Sequence, residues 1–146
     1  MKKENPAKTF LRRYIGLIAR IDALTRAINQ AMERAFSISV TLKEIKVLSS
    51  PAEHDRMASD VCTAADAAEI LYEEKKKAET FLREILEAID AVPDERQKAV
   101  LTMRYVDGMG FADIAEKMSY SEPAIYVSHG RALVAVNKWL EGRKWK

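Results

Sequence analysis

One cysteine, two histidines, five glycines and four prolines leave 146 residues short of the types that build disulfides, metal cages and turn-rich folds. Cys62 has no second cysteine to pair with, so an internal disulfide is excluded and a metal site lacks its ligands. It stands in an Ala-rich stretch, where a small core residue is its expected role. His54 sits beside Asp55 near a helix start and is expected to be solvated; with His129 it does not make a metal site. No run of 18 apolar residues occurs, which excludes a membrane-spanning helix. The opening "MKKENPAKTF" is basic like a signal peptide, but Arg12, Arg13 and Arg20 interrupt any apolar stretch behind it. A cytoplasmic protein is expected. Asp94, Glu95, Asp107, Asp113 and Glu116 fall on helix caps and exposed helical faces. Neither a nucleophile–base constellation nor a phosphate loop accompanies them, so no enzyme and no cofactor are expected.

What is present points to helices. Hydrophobic residues make up 48% of the chain, enough to bury a core in one or two small domains. The net charge of +2 is too small to announce nucleic acid, but it is unevenly spread: +6 over residues 1–50, −6 over 51–92 and +2 over 93–146. The basic and acidic segments are expected to pair with each other first.

Asn5-Pro6 is a helix start, with Asn as cap and Pro in the first turn, where its missing N–H costs nothing. From there Phe10, Tyr14, Leu17, Ile21, Leu24, Ile28, Ala31 and Ala35 recur in alternating steps of four and three. That 3.5-residue period marks a helix wrapped along a partner. Leu11, Ile15 and Ile18 add a second stripe, as if this end touched more than one neighbour. Ser50-Pro51 with Glu53 is another start signal. Behind it Met57, Val61, Ala64, Ala68, Leu71, Lys75, Ala78, Leu82, Ile85 and Ile89 repeat the rhythm. Folding one helix back on the other sets Ala27, Ala31 and Ala35 against Ala64, Ala65, Ala67 and Ala68. The same register brings Phe10 and Tyr14 to Phe81, Leu82 and Leu86. Residues 1–91 thus read as a long antiparallel, coiled-coil-like helical hairpin and oligomerisation region. A parallel coiled-coil dimer is compatible with the same stripes; register, length and charge favour the hairpin, with a homo-oligomer, first of all a dimer, built on it. Between the helices, Thr41-x-x-Glu44 ahead of Leu42, Ile45 and Leu48 allows a short helix or an extended piece.

Val92-Pro93 ends the second helix. Asp94 and Glu95 open a third over about 94–107, stopped by "DGMG". A fourth spans Phe111 to Met118, and Ser121 caps a fifth that runs through Leu140. Counted from Phe111 as position one, the spacing is that of a helix-turn-helix. Ala115 takes the fifth position, where only a small residue lets the next helix cross. Ile114, Met118, Tyr120 and Ile125 take the four apolar wedge positions. Ser119 replaces the usual glycine at the left-handed turn, and Ser128 stands at a position usually apolar. The overall expectation is an all-α chain with a helix-turn-helix domain over 92–146.

The stretch "LTMRYVDGMGFADIAEKMSYSEPAIYVSHGRAL" resembles the region-four module of bacterial sigma-70-type factors. It looks closer still to phage and prophage regulators of the RinA and ArpU type and their small relatives, which share "HGRAL", here 129–133. The likeness covers about residues 92–141; over 1–91 it is architectural, with "SPAEHDRMA" the one familiar stretch. It implies a DNA-binding transcriptional regulator of phage late or packaging genes, with double-stranded DNA as partner and RNA polymerase as a second.

On a helix docked in the major groove, Ser121, Glu122, Pro123, Tyr126, Val127, Gly130 and Arg131 face the bases. Ser121 caps the helix or bonds a phosphate, and Glu122 can accept from cytosine N4. Tyr126 bonds a phosphate or packs on a thymine methyl. Arg131 matches a basic position of the resembling family and reaches the backbone. Lys117, His129, Arg143 and Lys144 complete the candidate DNA-binding set, with a packed or simply surface-exposed side chain as the alternative for His129. In the tail, Lys138, Arg143, Lys144 and Lys146 interleave with Trp139 and Trp145, a pattern suited to phosphate neutralisation and stacking; Trp139 is also expected to close a core. Pro123 and Ala124 stand where sigma factors carry charged or amide side chains, which supports docking better than sequence-specific readout. Two other readings compete: a small-terminase-like DNA-packaging adaptor, which requires a ring of many copies, and a helical protein-interaction scaffold.

Overall fold

The computed structural model of the protein describes residues 3–45 and 50–143. They form helices and no strands: α1 (Pro6–Ile45), α2 (Pro51–Asp90), α3 (Glu95–Leu101), α4 (Phe111–Met118) and α5 (Glu122–Arg143). The start signals act as the sequence predicts. Asn5 Oδ1 accepts from the Ala7 N–H at 3.0 Å, and Ser50 Oγ accepts from the Glu53 N–H at 3.3 Å. Thr41 does not open a new helix, because α1 runs through it and its hydroxyl donates back to the Ser37 carbonyl at 2.9 Å. Residues 36–45 hold no Gly or Pro to stop the helix, and a threonine can bond one turn back from within it. Leu48 lies outside the described residues.

The chain divides into two compact units, Ala19–Glu79 and Met1–Ile18 with Thr80–Lys146. In the first, α1 and α2 run antiparallel. Arg20 reaches Glu74 at 3.4 Å, and Ala27, Ala31 and Arg34 line a groove of about 330 Å³ with Asp60, Ala64 and Ala67. The heptad seam is the covered face: Ile28 and Ala68 are buried, and Ile21, Leu24, Ala35, Met57, Val61 and Leu71 are half-buried. Cys62 is exposed, contrary to the expected core role. It follows Val61 by about 100° around the helix and so turns off the seam. Of the opposite charges, Arg20 and Glu74 pair across, whereas Arg26–Asp22 and Lys77–Glu74 pair within one helix.

The second unit holds the main core, in which Leu11, Ile85, Leu101 and Val136 are shielded from solvent. Phe10 packs with its ring tilted against Phe81 and Trp139, with ring centroids 5.8 and 6.0 Å apart, so Trp139 closes this core as expected. Asn137 ties the start of α1 to α5: its Oδ1 accepts from the Ala7 N–H at 2.9 Å and its Nδ2 donates to Asn5 Oδ1 at 3.0 Å. Residues 7–17 and 81–89, read from sequence as hairpin, therefore share a core with the C-terminal helices. Their stripes carry aromatic and branched side chains that two helices cannot cover alone. Leu11 is buried as part of that contact, while Ile15, Ile18 and Leu86 stay exposed.

Candidate nucleic-acid interface

The interface is built by how α3 to α5 are started and stopped. Asp94 caps α3, its carboxylate accepting from the Gln97 N–H at 3.0 Å. The helix then widens into a π turn over Thr102–Val106, closed by the Asp107 N–H to the Thr102 carbonyl at 3.0 Å. Gly108 turns the chain with φ of 72°, a conformation that favours glycine. Arg104 holds the turn from inside: Nη1 donates to the Met109 carbonyl at 3.0 Å while the guanidinium lies 4.4 Å from the centre of the Phe111 ring.

Between α4 and α5, Ile114, Ala115 and Ile125 are buried together with Val100. The small Ala115 thus sits where the helices meet, as the spacing requires. Tyr120 does not join the wedge; it is 40% exposed, with the Arg96 guanidinium 4.3 Å over its ring. Ser128, at the other irregular position, is buried. Ser119 ends α4 at φ 59° and ψ 40°, with its N–H to the Glu116 carbonyl and the Tyr120 N–H to the Ala115 carbonyl. A side chain in this left-handed conformation costs about 1–2 kcal/mol. Ser119→Gly is therefore expected to stabilise the protein by about 0.5–1 kcal/mol, net of glycine's greater freedom when unfolded. Urea unfolding would read this as a higher midpoint at unchanged slope, and a lower midpoint would refute it.

Ser121 caps α5, its Oγ accepting from the Ala124 N–H at 3.3 Å. Beyond it, Pro123, Tyr126, Val127, Gly130, Arg131 and Val134 are all exposed and recur at three- and four-residue steps. They form one open stripe along the helix. Tyr126 and Val127 are half exposed, at 51% and 53%. The Tyr126 ring is nevertheless fixed from behind, with the Phe111 ring centre 4.5 Å away.

Of the candidate residues, Ser121, Glu122, Tyr126 and Arg131 lie exposed on the leading half of α5, and Lys117 is exposed on α4. His129 is a correction. Its side chain is buried, shares a 2.7 Å hydrogen bond with the Tyr105 hydroxyl, and meets the Phe111 ring edge-on at 5.0 Å. It belongs to the support beneath the stripe and cannot reach a ligand on the open face. Burial, reinforced by the charges of Lys8 and Arg104, pushes its pKa down to about 4. Burial likewise raises that of Tyr105. Arg143 is also drawn elsewhere: it pairs with Glu87 at 3.0 Å and lies 4.6 Å from the Trp139 ring centre. It sits at the other end of α5, about 30 Å from Glu122 along the helix. Lys144 and Trp145 lie outside the described residues. Sequence reasoning missed the bracing roles of Arg96 and Arg104. Their signal was an arginine spaced for a ring that only the tertiary fold brings near.

Residues 82–136 match the family described as sigma-70, region 4. The match takes in the end of α2, all of α3 and α4, and most of α5, under half of the chain. No curated protein and no solved structure matches the chain. This region is thus a sigma-70 region-4-like helix-turn-helix in an all-α protein, and the likeness points to DNA-binding regulation. Among the described residues, no helix is long and apolar enough to cross a membrane.

Proposed function

We propose that the protein is a DNA-binding transcriptional regulator of the phage and prophage type, acting from the cytoplasm. The leading turns of α5 enter the major groove of double-stranded DNA, and RNA polymerase is the second partner. The helix-turn-helix within residues 92–146 does the docking, while the hairpin over Ala19–Glu79 associates copies, a dimer first. The observation that carries the reading is the open α5 stripe, standing on a region-4-like module whose Ala115 lets the helices cross. Ser121, Glu122, Tyr126 and Arg131 belong to the contact surface, with Lys117 beside it. Exposed Met32 and Phe36 on the hairpin, 59% and 71% accessible, favour association of copies.

The test is recovery of bound fragments from sheared phage and host DNA, followed by polarisation titrations of a recovered fragment. Binding is expected at about 50 mM salt, with affinity falling linearly on a log–log plot as salt rises. A flat titration at low salt refutes the reading. Light scattering separates the packaging-adaptor alternative, which requires a ring of many copies, from a dimer.

A further inference from the structure

Resting on the DNA-docking reading just given, we infer that the α5 stripe selects sites by the 5-methyl groups of thymine, through Tyr126 and Val127. The side chains that read the other base edges are scarce there. Adenine is read by the paired donor and acceptor of Asn or Gln. α5 contains no Gln, and its Asn137 is spent on Asn5 and Ala7. Guanine is read by Arg or Lys, and the stripe offers Arg131 alone over its first three turns. Glu122 can accept from a single cytosine amino group. What remains exposed is apolar: Pro123, Tyr126, Val127 and Val134. In the major groove, the feature that rewards apolar contact is the thymine methyl.

Two further observations fit DNA better than a protein as the occupant of this apolar face. Exposed cations accompany it, Arg131 within the stripe, Lys138 further along α5 and Lys117 on α4, which complements a duplex with phosphates on either side of the groove. And the central reader is already ordered. Tyr126 is held by Phe111, which is braced by Arg104 at 4.4 Å and by His129 at 5.0 Å. An exposed ring fixed in this way loses little freedom on docking.

The experiment uses the full-length protein and one recovered fragment, prepared with either thymidine or deoxyuridine, which differ by that methyl alone. Covering a methyl contributes roughly fourfold, so two contacts predict about fifteenfold weaker binding to the uracil duplex. The dependence on salt should be the same for both, since the phosphates are unchanged. In Val127→Ala, an exposed position, the ratio between the two duplexes should shrink. Equal affinity for both duplexes, each still bound, overturns the inference and leaves DNA docking standing. An undiminished ratio in Val127→Ala also overturns it, because the methyls are then sensed elsewhere. Absence of binding to either duplex overturns the docking reading, and the inference with it.

Discussion

Replacing Ala115 with leucine is expected to lower stability by about 1–3 kcal/mol and to weaken DNA binding at temperatures where the variant is still folded. Ala115 is 6% exposed and lies among Val100, Ile114 and Ile125, with Met103, Met109, Phe111 and Met118 filling the remaining space. Three added carbons must push against these neighbours. The softest response is for the first turns of α5 to move away from α4, since Ile125 is the residue they would displace. That movement would also shift the stripe that begins at Pro123, so stability and DNA affinity should fall together. Ala112, on the same short helix, is exposed. Ala112→Leu should therefore stay within about 0.5 kcal/mol of the parent, which separates packing from any effect on helix propensity. Paired urea melts read the difference. If Ala115→Leu is as stable as Ala112→Leu, the two helices do not meet at close range, and the reason for assigning a groove-docking geometry disappears.

The same contrast between local and distant causes decides what could be read from the sequence. Caps are local: Asn5, Ser50 and Asp94 each bond to an N–H within three residues, and each was legible. The seam was legible as well, because a 3.5-residue period assigns a face to every position, from Phe10 to Ile89. The failures have non-local or degenerate causes. Thr41-x-x-Glu44 has one composition whether it starts a helix or lies inside one, and only the absence of a breaker tells the two apart. Cys62 is one position off the seam, a difference that Ala-rich composition conceals. Nothing local tells whether His129 contacts DNA, packs or lies on the surface, because its partner Tyr105 lies 24 residues earlier. Arg143 is likewise taken by Glu84 and Glu87, on a helix that ends before the matched module is half complete. In the candidate site, exposed helical positions were predictable from their spacing, so Ser121, Glu122, Tyr126 and Arg131 emerge on one half-helix. The residues that brace them were not, because rings and guanidinium groups meet there from three separate elements.

Acidification is expected to destabilise the protein through His129, and the sign follows from where its proton binds. An unfolded histidine titrates near 6.5, and the folded one near 4. Above the upper value both states are neutral and His129 adds no pH dependence. Between the two values only the unfolded chain binds the proton, so stability falls as pH falls; below about 4 the slope vanishes. Integrated over that window, the loss is on the order of 3 kcal/mol. Burial is the first cause, and the cations Lys8 and Arg104 add to it. Carboxylates titrate over part of the same range, so the quantity to measure is a difference of differences. Urea unfolding of the parent and of His129→Gln, each at about pH 7 and about pH 5, isolates the histidine. The parent should lose more on acidification than the variant, and equal losses would show that the folded imidazole titrates normally. His129 stands against Phe111, and Phe111 holds Tyr126 in place, so the neutral imidazole is part of the support under the open stripe. At about pH 5 the folded imidazole is still neutral, so the DNA affinity of the folded parent should change with pH no more than that of His129→Gln.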